Sequence, residues 1–233
     1  MLTPAEIDAL QLSLRVAFWS VLVSLPFAIA AAMLLARSNF PGKSLVDAVI
    51  HLPLVLPPVV IGYFLLLLFG RRGPIGALLE HQLSIVVAFR WTGAAIASGI
   101  MGFPLMVRAI RLSVEAIDRN LEAAAGTLGA SRSWIFATIT LPLMLPGLIT
   151  GVLLSFARGL GEFGATITFV SNIPGETQTL PLALYSYTEI PGGDGPALRL
   201  CMIAVLLSIA ALFASETLVR RANRRLKGHE LAD

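Results

Sequence analysis

Few side chains in this 233-residue chain could do covalent chemistry, and their spacing argues against it. No HExxH, GxSxG, paired intramembrane aspartates or Cys/His cluster is present, which leaves an intramembrane enzyme without a nucleophile or a metal. Gly42-Lys43-Ser44 has the close of a phosphate loop, but Arg37 stands five residues before Gly42, where that loop requires glycine. The single Cys201 permits no internal disulfide and offers no metal cluster. His51, beside Pro53, reads as a satisfied packing residue rather than a proton relay. We assign no catalytic residue and no metal ligand.

What remains is a set of charges and prolines inside very apolar sequence. Arg158 and Glu162 are four apart near the end of an apolar stretch, where an ionised group is costly unless it is paired or faces a watery path. That spacing lets them pair on one helix face, and we expect a gate-supporting ion pair rather than a direct anion contact. Pro57 and Pro58, with Pro53 in HLPLVLPPVV, remove backbone donors and favour a bend. They join Arg158 and Glu162 as gate or pathway candidates. Arg15 and Arg90 lie near helix ends and are expected to snorkel to headgroups.

A polar, Ala-rich island, DRNLEAAAGTLGASRSWIFATITLP, runs from Asp118 to Pro142. Its first half places Leu121, Ala124, Ala125 and Leu128 on one helical stripe, with Arg119 and Glu122 at i, i+3 on another. Its second half repeats the stripe through Trp134, Ile135, Thr138 and Ile139. Gly129 supplies a turn at little steric cost, and Leu141-Pro142 is expected to stop the second helix. One reading is an amphipathic hairpin resting on lipid headgroups. The other is a surface on which a partner docks.

The elements that must position these residues are membrane helices. The chain is 56% hydrophobic and only 13% charged, with a mean hydropathy of +0.82, against roughly 25% charged in soluble domains. A spanning helix needs about 20 mainly apolar residues, because lipid offers the backbone no hydrogen bonds. Five stretches qualify: 10–36, 48–69, 85–107, 141–160 and 197–219. Two shorter apolar patches, 163–170 and 180–187, flank SNIPGETQT and read as short helices of a folded outer loop, 161–196. The expectation is an all-α polytopic bundle of five or six spans, forming one domain over 1–233.

Basic residues set its orientation. Eleven of the seventeen share one side in this scheme: Arg37, Lys43, Arg108, Arg111, Arg119, Arg132, Arg220, Arg221, Arg224, Arg225 and Lys227. That side is read as the cytoplasm, placing the island and the C-terminus inside and the N-terminus outside. Arg71 and Arg72 fall on the opposite side. The net charge of +3 then reflects membrane topology, not a nucleic-acid footprint. The N-terminus has no Lys or Arg before Arg15, so the first helix is expected to be retained rather than cleaved. Gly93/Ala97, Ala94/Ser98 and Ala95/Gly99, each four apart, predict close helix packing, with a partner in this chain or in a second copy.

Counted from Ala123, the island reads three alanines, three residues, Gly129, nine residues, then Ile139-Thr140-Leu141-Pro142. This closely resembles the cytoplasmic EAA loop of the permease subunits of binding-protein-dependent ABC importers. In that register the family's glutamate position is Ala123, and the glutamate stands one residue earlier, at Glu122. Ala124, Ala125, Gly129, Ala130, Ile139, Leu141 and Pro142 match. FPGKSLVDAVIHLPLVLPPVVIGYFLLLLFGRRGPIG, FPLMVRAIRLSVEAID and FARGLGEFGATITFVSNIPGET resemble the molybdate branch of the type I importers, so the likeness covers nearly the whole chain.

The resemblance implies the type I importer transmembrane fold, with 112–142 as a coupling-helix loop seated in a groove of an ATPase subunit. It implies a non-catalytic subunit of the bacterial inner membrane, embedded in the lipid bilayer and carrying no cofactor. ATP and Mg would be held by two partner ATPase subunits. A second copy of the chain would complete the pathway, and a periplasmic or lipid-anchored binding protein would deliver molybdate, or tungstate. Kinked helices would reorient a gate as the ATPases close. The spans offer few buried cations, so selection is expected to reside in the binding protein. A related sulfate or thiosulfate permease is the alternative. An ATPase-independent secondary transporter or channel would predict intramembrane acidic residues or an inverted repeat, and neither is evident.

Overall fold

The computed structural model describes residues 2–230; Met1 and 231–233 of the single domain expected over 1–233 lie outside them. The described residues are helical, without strands. Helix α1, Pro4–Arg37, opens on a capping box in which the Thr3 hydroxyl accepts from the Glu6 N–H and the Glu6 carboxylate from the Thr3 N–H. It runs through Pro26 without a break.

The second apolar stretch, expected as one span over 48–69 bent at its prolines, is two helices. These are α2, Lys43–Val55, and α3, Pro58–Phe69, and they meet at 113°. The break has a local cause. A residue that precedes proline is pushed out of the helical region, and here Leu56 (ψ 144°) and Pro57 (ψ 134°) both precede one. Pro58 then starts α3 at the position where a missing N–H costs nothing.

A short helix that the sequence reading left out follows, α4, Pro74–Leu83. The third expected span, 85–107, is shifted: α5 covers Trp91–Glu115, after an irregular approach in which Phe89 takes a positive φ of 61° and Arg90 is extended. The remaining elements are α6 (Arg119–Thr127), α7 (Arg132–Ile135), α8 (Leu141–Leu160), α9 (Gly164–Val170), α10 (Leu180–Thr188) and α11 (Asp194–Glu230). Four helical segments are long and apolar enough to cross a membrane, or five with the bent α2–α3 pair as one span. A sixth is not found among the described residues.

Helix α5 is the centre of the bundle, packed between α1 and α8. The predicted small-residue packing is satisfied within this chain. A Cβ at Gly99 would lie 2.9 Å from the Ser24 hydroxyl of α1, and one at Gly102 would collide with the Ser155 hydroxyl of α8. Two core clusters stack along the bundle. One joins Val16, Ala94, Ala97 and Met101 to Phe169 and Val170, and the other joins Ala28, Leu35, Met106, Ile110 and Met144.

The expected outer loop does contain two short helices, but α9 is no surface element. Ala165, Phe169 and Val170 are fully buried, and α9 packs on α3 and α5. Glycine makes the α3 contact possible, since a Cβ at Gly62 would come within 2.5 Å of the Ala165 carbonyl oxygen. Around the bundle, large apolar side chains face outward, among them Phe27, Val55 and Phe213, as a lipid-facing surface requires.

Candidate functional site

At one end of the bundle the island is built from short, well-capped pieces. The Asp118 carboxylate caps α6 by accepting from the Asn120 N–H, and the Ser131 hydroxyl caps α7 by accepting from the Trp134 N–H. Between them Gly129 sits at φ 86°, the left-handed region expected of it, and the Ala130 N–H closes the turn onto the Ala125 carbonyl.

Leu141-Pro142 does not stop the second helix. From α7 the backbone passes through one π turn, Phe136–Thr140, directly into α8, so 132–160 is one continuous rod. In an α-helix the Pro142 ring would strike the Thr138 carbonyl four residues back, and the wider π turn just before it relieves that clash. The second half of the island is therefore an extension of a membrane helix.

Glu122 and Arg119, three apart on one helical stripe, do not pair with each other. The Glu122 carboxylate turns into the bundle and accepts from Arg37 Nη2 at 2.9 Å and from the Thr140 hydroxyl at 2.7 Å. One oxygen thus ties α6 to the end of α1 and to the π turn. Arg119 instead donates to the Ala36 carbonyl at 3.4 Å. Nearby, Arg111 bridges Asp47 and Glu115 at 3.1 and 2.7 Å, and His51 Nδ1 donates to the Asp47 carbonyl, so His51 is satisfied as expected. Arg37, Thr140 and the Asp47–Arg111 pair went unread, because partners up to 85 residues apart leave no helical period to detect.

The outward face of the island is apolar. Leu128 is 89% exposed and Trp134 54%, flanking a cleft of about 660 Å³ that Ala125, Gly129, Ala130 and Ile139 also line. Ala123 and Ala124 lie exposed on α6. Leu141 packs into the core and Pro142 is half-buried at the start of α8, so these two belong to the support and not to the cleft.

At the opposite end Arg158 and Glu162 do pair, at 2.6 Å, though not on one helix face. Helix α8 ends at Leu160, and Glu162, 2% exposed, lies past it and accepts from the Ala165 N–H at 2.7 Å, capping α9. Pro58 touches the same helix: a Cβ at Gly164 would sit 2.8 Å from the Pro58 Cβ. The structure thus brings Arg158, Glu162 and Pro58 around α9, with Pro57 at the break that aims α3 toward it. A second pair, Glu6 with Arg199 at 2.9 Å, joins α1 to α11 and was not anticipated. Arg15 does more than snorkel, since its guanidinium lies 3.8 Å from the centre of the Trp91 ring.

Comparison with known proteins fits this architecture. A family model described as "Binding-protein-dependent transport system inner membrane component" matches residues 24–227. The chain is 57% identical over 225 residues to the molybdenum transport system permease protein ModB of Escherichia coli K12, covering 97% of this chain and 98% of that one. Against ModB of Haemophilus influenzae it is 58% identical, covering 98% and 100%. Against the sulfate transport system permease protein CysT of Salmonella typhimurium it is 36% identical, covering 97% and 81%. Among solved structures, a bacterial ABC transporter that imports alginate superimposes with a TM-score of 0.72 at 16% identity, covering 94% of this chain and 80% of that one. The MetNI methionine ABC transporter in an inward-facing conformation gives 0.67 at 15%, covering 94% of each chain. With the all-α bundle of a type I ABC importer permease, this chain belongs to the family of inner membrane components of binding-protein-dependent transport systems.

Proposed function

We propose that this chain is the permease subunit of an ATP-driven molybdate importer. The observation that carries the substrate is the gradient of similarity: 57–58% identity over nearly the whole chain to the molybdenum permeases of Escherichia coli and Haemophilus influenzae, against 35–42% to sulfate permeases. Two copies form the pathway, two ATPase subunits hold ATP and Mg, and an external binding protein delivers the oxyanion. The island faces the cytoplasm and docks on the ATPase through Ala123, Ala124 and the cleft beside Leu128 and Trp134.

The geometry supports a direct line of force. Movement of a docked cleft passes through the rod 132–160 to Arg158, Glu162 and α9, while Glu122 carries it sideways to α1. Alternating access follows if nucleotide biases two discrete packings of these rigid parts. Pro57, Pro58, Arg158 and Glu162 act as gate supports. Reconstitution with the ATPase and binding protein tests the reading, comparing molybdate, tungstate and sulfate for stimulated hydrolysis and uptake. Uptake of molybdate without ATP would refute it, and a preference for sulfate would overturn the substrate assignment alone.

A further inference from the structure

An apolar cavity lies remote from both the island and the Arg158–Glu162 pair. It is a groove of about 700 Å³ between α1, α2 and α5, within the roughly 300–1,000 Å³ of ligand sites. Trp19, Val23 and Phe27 form its α1 wall, Val49 and Pro53 its α2 wall, and Ile96 and Phe103 part of its floor. These α1 residues are exposed (Trp19 43%, Val23 57%, Phe27 66%), so the groove lies open along that helix. Its lining is almost wholly apolar. Of its few hydroxyls, that of Ser20 is already spent on the Ala17 carbonyl. No cation is among these lining residues, so a dianion has no built site here.

Length and charge point to another occupant. The groove runs along α5 from Trp91 to Phe103, about 18 Å at 1.5 Å per residue. That is close to half of the roughly 30 Å hydrocarbon core, one leaflet. At the Trp91 end the Arg15 guanidinium lies over the ring, and Arg90 immediately precedes it. Among the described residues neither arginine has an acidic partner within ion-pair distance, in contrast to Arg37, Arg111, Arg158 and Arg199. An apolar slot one leaflet deep, with the Arg15 guanidinium over the ring at one end and Arg90 next in sequence to that ring, complements an anionic phospholipid in shape and charge.

We propose that this groove holds one acyl chain of an anionic phospholipid, with its phosphate on Arg15 and Arg90 in the leaflet at the N-terminal end of α1. The Trp91 ring presents Arg15 to the headgroup and walls the chain beneath it. The site couples lipid composition to the packing of α1 on α5.

The test uses the purified transporter in mixed micelles containing phosphatidylglycerol and phosphatidylethanolamine of matched acyl chains, with retained lipid counted by native mass spectrometry. The expected result is retention enriched in phosphatidylglycerol. Arg15→Gln should lower that enrichment about tenfold, the factor one charge-assisted contact supplies. Ala95→Phe, which fills the groove, should reduce retention of both lipids. Equal retention of the two lipids by the unaltered protein, or an unchanged preference in Arg15→Gln, overturns the proposal. Val23→Cys in a Cys201→Ala background separates the remaining occupant: efficient disulfide formation between copies would place a second copy in the groove and also overturn it.

Discussion

The island should loosen from α1 when Glu122 is replaced by alanine. That change removes the acceptor of two hydrogen bonds, 2.9 Å from Arg37 and 2.7 Å from Thr140. The Arg37 side chain is 17% exposed and that of Glu122 23%, so water restores only part of what is lost. The Arg37 Nε is already buried without a partner, which leaves the guanidinium dependent on this carboxylate. Exposed ion pairs contribute about 0–1 kcal/mol, and breaking a buried one costs about 3–5 kcal/mol. A pair four-fifths buried falls between, and we expect an Arg37–Glu122 coupling energy of about 1.5–2.5 kcal/mol, in the range of one hydrogen bond to a charged group. The assay is a double-mutant cycle of Arg37→Ala and Glu122→Ala, read by reversible unfolding in mixed micelles, with Thr140→Val reporting the second bond. Additive single changes, with a coupling below about 0.5 kcal/mol, would refute the claim that this carboxylate fastens the island. In the reconstituted transporter the same substitution should lower uptake per ATP hydrolysed.

Other substitutions probe separate joints. Gly129→Val places a β-branched residue at φ 86°, about 1–2 kcal/mol of backbone strain, although its Cβ meets nothing within 4 Å. It should reduce uptake per ATP hydrolysed, whereas Gly129→Asn, which tolerates that φ, should leave the ratio near normal. Arg158→Ala strands the buried Glu162 carboxylate and should destabilise by about 3–5 kcal/mol in thermal unfolding, with Glu162→Gln paired to it recovering much of the loss. Gly62→Val drives a side chain against the Ala165 carbonyl and should part α3 from α9. Cysteine cross-linking between those two helices should then fall sharply, and undiminished cross-linking would mean that the close approach is not needed.

Much of the fold could be read from the chain because lipid imposes one rule, that the backbone bond to itself. Apolar length therefore marked the long helices α1, α5, α8 and α11. The Pro57-Pro58 break and the Gly129 turn were equally legible, since proline and glycine act on their own backbone and that of their neighbours. Motif spacing located the island for the same reason: its short helices are capped and turned by residues within a few positions of one another. The sequence also carried the Arg158–Glu162 pairing through their nearness along the chain, although α8 ends at Leu160 between them. What escaped was set at long range. Whether Pro142 ends a helix depends on whether the preceding turn can widen, and the π turn at 136–140 is stabilised by what packs around it. Glu122 was visible as a displaced glutamate, but its choice of Arg37 over Arg119 is fixed by the packing of α6 on the end of α1. The burial of α9 and the groove beside Trp91 likewise exist only once α1, α2, α3 and α5 are assembled. Local backbone chemistry, one residue or one turn at a time, is written in the order of residues; the partners of a side chain are decided by which distant surfaces meet, and only the tertiary structure records that.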